Sequence, residues 1–145
     1  MKNVRLAVCL VVVFVSTASI AHADLDGFLR EVNMQAQADM KNFRVKLSSQ
    51  FEVPLSQVDS IVMHVAAPAD AFMVLQLGQM ANKPPEAVLQ TYQRSRGKGW
   101  GALAKELGIK PGSPEFHALK RGELYFTGEP SDGGYGKGKG KGHNK

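Results

Sequence analysis

The apolar residues Leu25, Phe28, Leu29, Val32, Ala36, Met40, Phe43, Leu47 and Phe51 recur at steps of three and four. That spacing keeps them on one face of an α-helix. One helix over the whole stretch would be about 40 Å long at 1.5 Å per residue, so a break is expected near residues 40–42. Phe43, Val45 and Leu47 also alternate, which leaves a strand as the lesser alternative there. Val53-Pro54 interrupts the stripe, because the residue before a proline is pushed out of helical geometry. Leu55, Val58, Ile61 and Val62 then line a second helix.

After "AAPAD", Pro68 suits the first turn of a further helix. That segment, "PADAFMVLQLGQM", is apolar around most of its circumference. Such a helix belongs at the centre of a bundle, and its methionines read as core filler. "NKPPE" opens the next helix over residues 85–94, with Val88, Leu89 and Tyr92 packed. Trp100, Leu103, Ala104 and Leu107 give an i, i+3, i+4, i+7 stripe. Gly108 is placed to end it as a left-handed cap. Ser113-Pro114-Glu115 offers an N-cap, a first-turn proline and a carboxylate that suits the helix dipole. The last helix presents Phe116 and Leu119 and closes at Gly122. The pattern predicts an all-α domain, a small bundle of five or six helices over residues 24–127. Each large side chain buried contributes about 1.5–3 kcal/mol.

The two ends differ in character. "MKNVRLAVCLVVVFVSTASIAHA" places Lys2 and Arg5 before an apolar run and closes on Ala21 and Ala23. That order is a secretory signal peptide over residues 1–23. Ser16, Thr17 and Ser19 interrupt what a retained membrane helix would need. Cys9 does not fit a lipid-attachment box, since the apolar run follows it. It is the only cysteine, so cleavage leaves a chain without disulfides or thiolate chemistry. At the other end, residues 128–145 alternate glycine with lysine and offer nothing to offset the entropy of ordering. A flexible cationic tail is expected. The overall charge of +5 overstates the domain, because residues 24–127 carry 12 Lys and Arg against 11 Asp and Glu. No large basic footprint for nucleic acid remains there.

"ALAKELGI" reads like the start of a bacterial helix-turn-helix. The second half departs from that motif. Pro111 and Pro114 delay the following helix and leave it about two turns, too short to read bases well. A packing corner is expected and DNA is not an expected partner. The same stretch, "GKGWGALAKELGIKPGSPEFHALK", follows "APADAFMVLQLGQMANKPPEAVLQTYQ". Together they resemble a group of small exported bacterial proteins of uncharacterised function. These share a Gly-Trp-Gly segment, an LGIKPGS-x-EFHALK-like ending and a Gly/Lys-rich tail. The resemblance spans residues 24–122 and implies a periplasmic or secreted setting, with no site residues to carry over.

Candidate chemistry is sparse. "RSRGKGWG" gathers Arg94, Arg96 and Lys98 beside Trp100 with three glycines. Guanidinium forks and a backbone nest there could hold an anion, although the ending of a phosphate loop is missing. A solvated connector whose tryptophan anchors the next helix is the plainer alternative. In the tail, Lys137, Lys139 and Lys141 would be drawn diffusely to anionic surfaces, screened over about 8 Å at physiological salt. His64 and His117 lie far apart and no zinc spacing occurs, so neither a metal nor a cofactor is expected. No nucleophile elbow or catalytic carboxylate pair is visible. Glu106 is expected to pair with Lys110. These features point to an exported, non-enzymatic envelope protein that binds through a basic loop and cationic tail. Its expected partners are anionic lipid or glycan, or another envelope protein. A small periplasmic enzyme is the alternative, and nucleic-acid binding the weaker one.

Overall fold

The computed structural model describes residues 24–129, so the expected signal peptide over residues 1–23 and Lys137, Lys139 and Lys141 lie outside the described residues. Within them the protein is all-helical. The helices are α1 (Leu25–Ala38), α2 (Met40–Phe51), α3 (Leu55–His64), α4 (Pro68–Ala81), α5 (Pro85–Arg94), α6 (Trp100–Glu106) and α7 (Pro114–Arg121).

Seven described helices exceed the five or six expected, because the first stripe is two helices. The break falls at Asp39, one residue ahead of the expected place. Its N–H donates to Gln35 O at 3.2 Å, ending α1. Its carboxylate accepts from Asn42 N at 2.9 Å, capping α2. Aspartate favours such a cap over a helix interior because its short side chain competes for nearby backbone N–H groups. Ala36 and Phe43 are both buried on either side of the break, which is why the stripe kept its phase. The strand alternative at residues 43–47 is overturned, since α2 runs through them.

α4 is the centre of the fold. Every residue from Ala71 to Gly78 is buried, and the helix packs against α1, α2, α3 and α5. The other helices must bury only one face each. Phe72 is fully buried, with ring centroids of Phe28, Phe51 and Phe126 at 5.2, 5.6 and 5.9 Å. No single helix among the described residues is long and apolar enough to cross a membrane. α3 and α4 reach that length only as a pair bent by 119°.

α6 and α7 form the corner. Ile109 N–H donates to Ala104 O and Gly108 N–H to Lys105 O, at 2.9 and 3.0 Å. This pair of bonds, with Gly108 at φ +93°, is a Schellman ending and agrees with the expected glycine cap. Ser113 caps α7 by accepting from Phe116 N at 3.2 Å. α7 packs on α6 and α1, burying Phe116, Ala118 and Leu119 and leaving His117, Lys120 and Arg121 outward.

Residues 123–129 then return across α2 as an extended strap. Leu124 is buried, and Phe126 lies 5.2 Å from Phe43 between ring centroids. The buried side chain of Gln50 holds the strap. Its Nε2 donates to Tyr125 O at 2.7 Å, and its Oε1 accepts from Thr127 N and Gly128 N at 3.0 and 3.1 Å. Three bonds to one amide satisfy a polar group that would otherwise be costly to bury.

Candidate functional site

The turn from α3 into α4 is fixed by side chains from three helices. Asn33 on α1 accepts from Ala69 N at 2.8 Å. Asp70 Oδ2 accepts from Ala67 N at 3.3 Å. Tyr92 Oη, on α5, accepts from Ala66 N at 3.1 Å and donates to Asp70 Oδ2 at 2.8 Å. The first N–H groups of a helix have no partner within it, and the bond from Ala69 satisfies one of them. Those from Ala66 and Ala67, just ahead of the helix, hold Asp70 and Tyr92 in place.

α5 ends at Ser95, whose N–H donates to Thr91 O at 2.9 Å. The buried Ser95 hydroxyl donates to Glu106 Oε2 at 2.6 Å, a short charge-assisted bond tying the connector to α6. Glu106 is therefore engaged by Ser95 and forms no ion pair with Lys110. α6 has ended by then, so the i, i+4 spacing no longer applies. The ion pairs among the described residues are Arg44–Asp59 and Arg121–Glu123. Gly97 and Gly99, at φ +86° and +80°, turn the chain so that Trp100 enters α6 facing Tyr92. The two rings stack with centroids 5.6 Å apart and planes inclined by 18°.

A cleft of about 340 Å³ opens between these elements, lined by Asp70, Tyr92, Ser95, Arg96, Gly97, Gly99, Trp100 and Leu103. Of the four candidate loop residues, the fold brings Arg96 and Trp100 to one cavity. Arg94 turns back along α5, its Nη2 3.5 Å from Thr91 Oγ1. Lys98 is exposed and does not line the cleft. Asp70, Tyr92 and Ser95 were not singled out as site residues from the sequence. A lone carboxylate in the most apolar helix was the available signal for Asp70.

Two other hollows are larger but chemically plainer. One of about 440 Å³ has Lys83 as its single charged lining residue. In the other, of about 370 Å³, Arg44 and Asp59 form an ion pair at 3.3 Å beside Lys41, while Arg44 Nε and Asp59 Oδ1 are buried without a hydrogen-bond partner. Among the described residues no three His, Cys, Asp or Glu side chains converge on a point. His64 Nδ1 lies 2.7 Å from Ser60 O on its own helix. The cleft lining carries one cation, one anion and the stacked rings of Tyr92 and Trp100.

Burial pushes the Tyr92 phenol above its ordinary pKa, and the hydrogen bond and negative charge of Asp70 act the same way. The Ala66 N–H and the Arg96 cation oppose them. A phenol raised on folding keeps its proton longer in the native state, so its contribution is intact below the unfolded value. Stability then falls as pH rises through the native one. Tyrosinate absorbance of the folded protein should show one phenol ionising later than the rest, and Tyr92→Phe should remove that late step.

No protein-family model, characterised protein or solved structure matches the chain.

Proposed function

We propose that this is an exported, non-catalytic binding protein of the bacterial envelope. The cleft beside Arg96 is its ligand site, and the Gly/Lys tail adds a diffuse attraction to anionic lipid or glycan. The leader, with its basic start and Ala-His-Ala end, supports export to the periplasm or beyond. One observation carries the ligand reading: Arg96 stands at a cleft where hydrogen bonds fix the Asp70 carboxylate and Tyr92, and Trp100 stacks on Tyr92. With Asp70 and Tyr92 held in place, less of the site has to be ordered on binding. A ligand with an anionic group for the guanidinium and a flat or apolar face for Trp100 fits that lining.

Trp100 is the only tryptophan, so its fluorescence reports occupancy directly. Titration with benzoate, glucuronate and inorganic phosphate should perturb it for at least one of the three. Arg96→Gln should weaken that binding about tenfold or more, the scale of one charge-assisted hydrogen bond. Arg94→Gln should change it less than about twofold. Equal losses from the two variants would mean that net charge, and not the cleft, attracts the ligand.

A further inference from the structure

Asp70 and Arg96 line the same cleft, yet they form no ion pair with one another or with any other described residue. Opposite charges placed in one cavity and kept apart are complementary to a molecule that carries both. The two described hydrogen bonds to the Asp70 carboxylate fall on Oδ2. They orient the group, and no described bond falls on Oδ1. The Tyr92–Trp100 stack is the wall beside the two charges. At about 340 Å³, the volume sits near the lower end for small-molecule sites, which start at roughly 300 Å³. That suits one amino acid or a very short peptide and not a long polymer.

We infer that the cleft takes a small zwitterion, an α-amino acid or the like, with its ammonium group on Asp70, its carboxylate on Arg96 and a flat apolar side chain against Trp100. This rests on the ligand reading above and narrows it. A simple anion would occupy Arg96 and leave the Asp70 charge without a counter-ion inside the cleft. A hydroxy acid would offer Asp70 a donor but no charge. The ammonium offers three donors and neutralises the carboxylate, so both ends of the ligand are charge-matched.

Four matched probes separate these terms, each read by Trp100 fluorescence on the full mature chain: L-phenylalanine, 3-phenyllactate, 3-phenylpropionate and phenethylamine. Phenylalanine should bind at least about tenfold more tightly than each of the others. Asp70→Asn keeps an acceptor oxygen for Tyr92. It should bring phenylalanine down to the level of 3-phenylpropionate, which should bind the variant as tightly as the parent or more tightly, since a like charge has left the cleft. Arg96→Gln should weaken all three acids. Thermal melts of both variants within a few degrees of the parent show that the fold is retained, and the wild-type series depends on no variant. Equal binding of phenylalanine and 3-phenylpropionate overturns the zwitterion inference and leaves an anion site standing. Silence from all four overturns the inference as well, and the glucuronate and phosphate titrations then decide the broader reading independently.

Discussion

Phe72→Ala lowers the stability of the domain by about 4–5 kcal/mol, the upper range for truncating a buried aromatic. Phe72 is fully buried at the centre of α4. Its ring meets Phe28 from α1, Phe51 from α2 and Phe126 from the strap, all within 5.9 Å between centroids. Removing it leaves a cavity bounded by three elements that cannot all move inward, and it also ends three aromatic pairings. A domain of this size has about 5–15 kcal/mol in total, so a large part of its margin is lost. The melting temperature should drop by roughly 15–30 °C, followed by far-ultraviolet circular dichroism. A loss below about 1 kcal/mol would mean that α4 is not the centre of the core.

Gly122→Ala is expected to cost about 2–4 kcal/mol, from two sources that can be separated. Gly122 has φ +65°, and an alanine held there loses about 1–2 kcal/mol. A Cβ would also stand 2.6 Å from Asp24 O and 2.9 Å from Leu25 N. Those atoms are backbone, so the first turn of α1 must move, adding about 1–3 kcal/mol of overpacking. Gly108 provides the control: its φ is +93°, but nothing lies within 4 Å of a Cβ there. Gly108→Ala should lose only the conformational part. Urea unfolding of the two variants should therefore differ, and equal losses would contradict the close seating of α7 on the start of α1.

Much of this architecture was legible because helix signals are local. Pro68 and Ser113, and glycine at 108 and 122, sit where they begin and end helices, and the buried stripe from Val32 to Leu47 follows the expected period. Asp39 was missed as the break because its cap acts through its own short side chain, without disturbing the apolar phase. The strap was missed as packed structure. Leu124 and Phe126 are only two alternating apolar residues, and their anchor, Gln50, lies 75 residues or more from the atoms it binds. Half of the candidate site was legible for the same reason. Arg96 and Trp100 share one short connector, whereas Asp70 reaches Tyr92 from 22 residues away. That pairing depends on how α4 and α5 pack, which no local pattern encodes.

Mapping amide chemical shifts during titration with L-phenylalanine shows whether the cleft between α4, α5 and α6 is a ligand site. Saturable shifts are expected at residues 66–70 and 92–101, with α2 and the strap at residues 123–129 unmoved. Shifts centred on α2, or spread over every exposed cation without saturation, would contradict a ligand site in the cleft.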